Sequence, residues 1–317
     1  MDKVVIIGAG ALGRFLAARF VAAGIDCVLV GREPGASHLR THGVLLDTAG
    51  EISRVLVPIA IDCHQIAGAD IVILCTKAGD LPQALDLAQP LAAGQAAFVT
   101  VQNGVEAPSQ VEACFPRSAV MGSRIHGFFE LDDGVVRHVG VEPSVVFGLT
   151  TPFGSERLRQ FDTLLSQAGI MHRRSDGIAI ELWEKLVLAS ALGGVGTAMG
   201  RKAGEIMQDE QGRAFLEDAM REIAKVAAAR GVPLPDDCVE RTLAFVAGFP
   251  PTATTSMQRD LEARRPSEYD CQVGAVIRLA ADAGEDAPVH RRIDAMIRAR
   301  GINVSSASEE APSDRPE

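Results

Sequence analysis

Apolar and polar residues follow two rhythms in the first half of the chain. Residues 3–7 (Lys-Val-Val-Ile-Ile) are a short apolar run that predicts a buried strand. The stretch Gly8-Ala9-Gly10-Ala11-Leu12-Gly13 follows at once. Phe15, Leu16, Arg19 and Phe20 then recur at helical spacing to about Ala23, and Gly24 closes the pattern. Residues 26–30 (Asp-Cys-Val-Leu-Val) predict a second strand. A strand, a turn, a helix and a strand at this length are what a nucleotide-binding βαβ unit needs. Short apolar runs at 55–59, 71–75 and 96–101 predict further strands, with a helix over 80–92 between the last two. This alternation predicts a parallel sheet covered by helices.

The pattern changes over 119–149, where runs such as Ser-Val-Val-Phe-Gly are separated by Asp-Asp-Gly and Glu-Pro. It predicts antiparallel strands appended to the sheet, followed by a helix over 155–167 and a strand over 170–174. From Asp176 the strand signals stop. Helical patterns cover about 178–193, 208–230, 236–247, 252–263, 268–283 and 288–300, punctuated by Pro233, Pro235, Pro250 and Pro251. Gly193, Gly194 and Gly196 disfavour a continuous helix beyond the first of these. The fold class is therefore α/β: a Rossmann-type dinucleotide-binding domain over 1–174, then an all-α domain over 175–302. Residues 303–317 lack apolar content and predict a disordered tail.

A chain of 317 residues agrees with two domains and can bury a large core without a staple. The net charge of −10 argues against nucleic acid as the main partner, because such binding rests on basic surface. It leaves room for a small anion held by local cations. Six scattered cysteines (Cys27, Cys63, Cys75, Cys114, Cys238 and Cys271) show no metal spacing and read as reduced thiols. No apolar run reaches the roughly 20 residues needed to span a bilayer. The expectation is a soluble cytoplasmic protein without metal or membrane partner.

The glycine stretch gains meaning from its place between a strand and a helix. Gly8 suits the tight turn, Gly10 lets backbone amides approach a pyrophosphate, and Gly13 lets the helix pack close to the sheet. Gly8, Ala9, Gly10, Ala11, Leu12 and Gly13 are thus the candidate cofactor turn. At the end of the second strand, an NAD site wants a carboxylate for the ribose. Here stands Arg32, whose guanidinium can pair with the 2′-phosphate of NADP. It can equally be a solvated loop cation, and the adjacent Glu33 can compete for the ribose. Of 31 basic residues only five are lysines: Lys3, Lys77, Lys185, Lys202 and Lys225. Lys77 follows the strand at 71–75, at the sheet end that faces ligands in doubly wound folds. Lys185 lies on the first helix of the second domain.

With Thr76-Lys77-Ala78, Gln102-Asn103-Gly104-Val105, Trp183-Glu184-Lys185-Leu186, Ser256-Met257-Gln258-Arg259-Asp260 and Glu268 in order after the glycine turn, the chain resembles the ketopantoate reductase (2-dehydropantoate 2-reductase) family over about 1–300. The resemblance implies NADPH-dependent reduction of a 2-oxo acid to a 2-hydroxy acid, between a Rossmann-type and a helical domain. It implies Lys185 as general acid, and Lys77 and Asn103 near nicotinamide and substrate. It further implies Ser256 at the substrate carboxylate, Glu268 contacting cofactor or substrate, and Arg32 at the 2′-phosphate. Phe128 falls near a position that touches cofactor through its backbone. Members are often dimers, so a homodimer is implied. Read on their own, Asn103 also suits a turn, Ser256 a backbone-bonded hydroxyl, and Glu268 a helix N-terminal carboxylate.

The chain departs from the family at Ala189 and Gly193, where asparagines usually help bind substrate. The pocket is therefore expected to be wider and more apolar, and ketopantoate itself is less supported than reductase chemistry. A bulkier or less polar ketone, an opine-type substrate, or a non-catalytic NADP-binding sensor are the alternatives.

Overall fold

The computed structural model describes residues 2–48 and 50–304. The first half holds β1 (Lys3–Ile7), α1 (Ala11–Ala22), β2 (Asp26–Val30), α2 (Gly35–His42), β3 (Val44–Thr48), β4 (Glu51–Val55) and β5 (Ile59–Ala60). There follow β6 (Ile71–Leu74), α3 (Leu81–Ala92), β7 (Ala97–Thr100), α4 (Ala107–Cys114), β8 (Val120–Asp132), β9 (Val135–Leu149), α5 (Ser155–Gln167) and β10 (Met171–Arg174). These strands form one sheet in the order β4-β3-β9-β8-β7-β6-β1-β2-β5, with β10 beside β9. The run from β5 to β8 is parallel, and its members stand in the sequence third, second, first, fourth, fifth, sixth. That is the order of a doubly wound dinucleotide-binding sheet.

Burial explains the short continuous apolar strands. Val4 and Ile6 pack on one face of the sheet with Leu16 and Phe20 of α1. Val5 and Ile7 pack on the other with Leu81, Leu85 and Leu91 of α3. A strand covered on both faces has no polar side to show. β8 and β9 pair antiparallel, as the pattern over 119–149 predicts, and His126 and His138 lie in them. Phe128 pairs with Val139 in the same ladder; its side chain lies outside the described residues.

The run at 55–59 is not one strand. Val55 ends β4, and β5 is only Ile59–Ala60, after Pro58, whose carbonyl accepts from Leu29 N at 2.9 Å. Proline cannot donate to a ladder, so the apolar run is split there. Helices α2 and α4 and the β3–β4 hairpin lie outside the expected elements. β4 is exposed along almost its whole length, so it carries no strong apolar signal.

The structure divides into two compact units. One comprises Met1–Gln102 and Glu106–Leu182; the other comprises Asn103–Val105 and the chain from Trp183 onward. The sequence pattern sets the change near 174, whereas the division falls inside α6 (Ile178–Met199). The remaining helices are α7 (Ala203–Gln208), α8 (Glu210–Ala229), α9 (Cys238–Ala247), α10 (Ser256–Glu262), α11 (Ala275–Asp282) and α12 (Pro288–Ala299). A π-helical turn, Asp270–Gly274, leads into α11. Of the expected tail, residues 305–317 lie outside the described residues, while Val304 is buried in the core of the second unit.

That core gathers Trp183, Leu186 and Val187 of α6 with Phe215, Leu216 and Ile223 of α8. Inside it, the Glu222 carboxylate accepts from the amides of Val289 (2.9 Å) and His290 (2.7 Å) and from His290 Nδ1 (2.7 Å), fixing the start of α12. Contrary to expectation, α6 runs unbroken through its glycines to Met199. Packing outweighs propensity here. A Cβ at Gly193 would lie 2.6 Å from Thr255 Oγ1 and 2.8 Å from Met257 Cε, and one at Gly196 would lie 2.6 Å from Gln258 Oε1. The glycines let the start of α10 press against α6. The space beside Gly193 is therefore filled rather than widened.

Candidate active site

Two groups of candidate residues are positioned by separate parts of the fold. In the first unit, β1, β2 and β6 end in register at Ile7, Val30 and Leu74, and the chain turns away at Gly8, Gly31 and Cys75. These turns border a cleft of about 740 Å³, lined among others by Gly8, Ala9, Gly10, Arg14, Arg32, Thr76, Lys77, Asp80 and Gln83. Gly8 has φ +116°, and a Cβ there would meet the Cys75 carbonyl carbon at 2.7 Å. A Cβ on Gly13 would lie 1.9 Å from Gly8 O, so α1 can start this close to β1 only without a side chain. Beside Gly10 there is open space out to 4 Å. Ala11 and Leu12 pack their side chains against the core and are not among the residues that line the cleft.

The cleft carries more positive than negative charge. Arg14, Arg32 and Lys77 line it against Asp80 and Asp86. Arg32 is exposed; its Nη2 donates to Gln83 Oε1 at 2.9 Å and stands 3.5 Å from Asp80 Oδ1. Glu33 is held elsewhere: Oε2 accepts from Ser37 N at 2.9 Å and Oε1 from Arg40 Nη1 at 2.8 Å. The hydrogen bonds from Ser37 and then Arg40 hold its carboxyl below the usual range. Thr76 Oγ1 and Gln102 Oε1 are buried just beyond β6 and β7 with no hydrogen-bond partner among the described residues. The turn and the cations fit a dinucleotide.

The second unit brings Asn103 and Glu268 together: Asn103 Nδ2 donates to Glu268 Oε2 at 2.6 Å, although 165 positions separate them. Gly104 makes this approach feasible. It has φ +93°, and a Cβ there would lie 2.5 Å from Cys271 O in the π-helical turn. Glu268 is thus bonded to a distant side chain rather than serving only a helix start. Lys185 is half-buried on α6. Ser256 is exposed at the first position of α10, and the capping role belongs to Thr255, whose Oγ1 accepts from Gln258 N at 3.2 Å. Burial pushes the Cys27 thiol up to about 12 and the Cys63 thiol to about 11, which disfavours the thiolate form at neutral pH. Among the described residues no cluster could hold a metal ion, and no helix is long and apolar enough to cross a membrane.

Sequence reasoning missed Arg14, Gln83 and Arg40. Arg14 directly follows the glycine motif and could have been found there. Gln83 carries no local signal, since its partner Arg32 lies 51 positions away, whereas Arg40 follows Glu33 by seven residues, a helical spacing that could have been noticed.

Residues 4–152 match the family model "Ketopantoate reductase PanE/ApbA", and residues 178–301 match "Ketopantoate reductase PanE/ApbA C terminal". The chain belongs to the ketopantoate reductase family. Among its relatives, a 2-dehydropantoate 2-reductase from Mesorhizobium japonicum is 31% identical over 320 residues, covering 93% of this chain and 97% of its own. A PanE/ApbA family ketopantoate reductase from Ralstonia eutropha JMP134 superposes with TM-score 0.81 at 28% identity, over 94% of this chain and 97% of that one. D-mandelate dehydrogenase, solved with NADH and anilino(oxo)acetate, shares the fold with TM-score 0.81 at 22% identity, over 94% of this chain and 98% of that one. The ketopantoate reductase relatives are oxidoreductases of a CH-OH or C=O group, and this chain falls in that class.

Proposed function

We propose that the protein reduces a 2-oxo acid to the 2-hydroxy acid with NADPH, with ketopantoate as the default substrate. The observation that carries the cofactor choice is at the end of β2. Arg32 faces the dinucleotide cleft while the neighbouring carboxylate, Glu33, is tied to Ser37 and Arg40. A 2′-phosphate would find a guanidinium there with Glu33 held away, and would draw Arg32 from Asp80, which stands 3.5 Å from it.

The reduced nicotinamide, when bound, supplies the hydride. The chain supplies the rest. Negative charge develops on the carbonyl oxygen as the hydride arrives at carbon, and the Lys185 ammonium stabilises it and delivers the proton. Lys77 and the Asn103 amide orient the reacting groups, with Glu268 fixing the Asn103 rotamer. The Ser256 hydroxyl donates to the substrate carboxylate. We further infer a homodimer acting in the cytoplasm, where the free cysteines stay reduced.

One observation favours a less polar substrate than ketopantoate. Ala189 and Gly193 lack the family's usual amides, and Met257 and the Thr255 side chain occupy the space beside Gly193. An NADPH-oxidation screen across hydroxylated, branched and aromatic 2-oxo acids, with and without amines, tests both readings. The largest kcat/KM is expected on a 2-oxo acid without added amine. Turnover only with an amine present would indicate an opine-type reaction, and tight NADPH binding with no turnover would indicate a sensor.

A further inference from the structure

We propose that Arg14 is a phosphate-binding residue of the dinucleotide cleft, its guanidinium taking the pyrophosphate of the bound cofactor. The inference rests on the nicotinamide dinucleotide reading above and adds a residue outside the glycine turn itself. Arg14 lies in the first turn of α1, and its Nε donates to Ala9 O at 2.8 Å. That bond ties the guanidinium across the glycine turn and leaves both terminal nitrogens uncommitted among the described residues.

Arg14 is half-buried and lines the cleft. Among the described residues it has no carboxylate partner, unlike Arg157, paired with Asp70 at 2.7 Å, or Arg201, paired with Asp209 at 2.6 Å. Burial lowers its pKa with no acid opposing the shift. A partly desolvated cation without a counter-charge is costly, and an arriving anion relieves that cost. The planar fork matches phosphate oxygens in two parallel hydrogen bonds. The space beside Gly10 is open, and the amides at the start of α1 favour negative charge there. Arg32 serves the other phosphate, and it is already steadied by Gln83.

The two arginines predict a crossed pattern, read by calorimetric titration of the full-length protein with NAD⁺, NADP⁺ and adenosine 2′-monophosphate. Arg14→Ala and Arg14→Gln should weaken NAD⁺ and NADP⁺ by the same factor, about ten- to hundredfold. Both should leave the 2′-monophosphate within about twofold. Arg32→Ala should weaken NADP⁺ and the 2′-monophosphate but spare NAD⁺. Arg14→Lys should fall between wild type and Arg14→Ala, because an ammonium keeps the charge without the fork. Wild-type affinity of Arg14→Gln for both dinucleotides overturns the role, as does equal loss of all three ligands. Failure of the wild-type protein to bind either dinucleotide overturns the cofactor reading itself, and the Arg14 role with it.

Discussion

Placing a side chain at Gly193 should destabilise the helical unit, not restore a family-like pocket. The Cβ of Gly193→Ala would stand 2.6 Å from Thr255 Oγ1 and 2.8 Å from Met257 Cε. Real Cβ atoms essentially never approach so closely, so something must move. Met257 is 1% exposed and has little room to give. Thr255 caps α10 through Gln258 N, and losing a cap costs about 1 kcal/mol. Overpacking a core adds about 1–3 kcal/mol. Against this, alanine is better than glycine in a helix by about 1 kcal/mol. The net loss is about 1–3 kcal/mol for alanine, and more for Gly193→Asn, which is bulkier and gains less propensity. The assay is built into the chain. Trp183 is its only tryptophan and lies buried in the same core, so its fluorescence during urea unfolding reports this unit. Gly35→Ala, in α2 of the first unit with nothing within 4 Å of its Cβ position, serves as a control that overpacks nothing and should not lower the Trp183 midpoint. An unchanged or raised midpoint in Gly193→Ala would show that α10 does not press on α6 as described, and the account of the filled space would fail.

Lys185→Ala should lower kcat by roughly two or more orders of magnitude in steady-state NADPH oxidation, with folding checked by Trp183 fluorescence; turnover near wild type removes Lys185 as proton donor. Arg32→Ala should raise KM for NADPH about ten- to hundredfold and leave that for NADH nearly unchanged, since it removes a charge-assisted pair. Equal effects on the two would refute the 2′-phosphate role. Arg40→Ala should free Glu33 and improve NADH use relative to NADPH; an unchanged preference would mean that the diverted carboxylate is irrelevant. For Glu222, burial acts to raise the pKa, but the hydrogen bonds from the His290 ring and the Val289 and His290 amides outweigh it and hold the carboxyl low. Its stabilisation is thus fully present above the unfolded value near 4.3 and is lost as pH falls through the lower folded value. Unfolding midpoints read by Trp183 should therefore drop below about pH 4.3 more steeply in wild type than in Glu222→Gln; parallel acid limbs would contradict the assignment.

Much of the fold is legible locally. β1, the glycine turn, α1 and β2 follow from residues only a few positions apart, because strand period, turn dihedrals and helix period are local properties. α3, α5 and the β8–β9 pair are read the same way. The failures have a common cause. β4 sits at the exposed edge of the sheet, so burial never wrote an apolar pattern into it, whereas β3 buries Val44 and Leu46 in a run too short to stand out. α6 continues through Gly193, Gly194 and Gly196 because neighbours distant in sequence fill the space that side chains would take.

The site divides along the same line. Residue types and their order marked the cofactor turn, Arg32, Lys77, Asn103, Lys185, Ser256 and Glu268 as candidates. Only the folded chain set Asn103 against Glu268, steadied Arg32 with Gln83 and, among the described residues, left Arg14 without a carboxylate. Sequence spacing encodes conformation over a few residues, whereas a hydrogen bond of about 3 Å between side chains far apart along the chain exists only after packing has fixed both backbones.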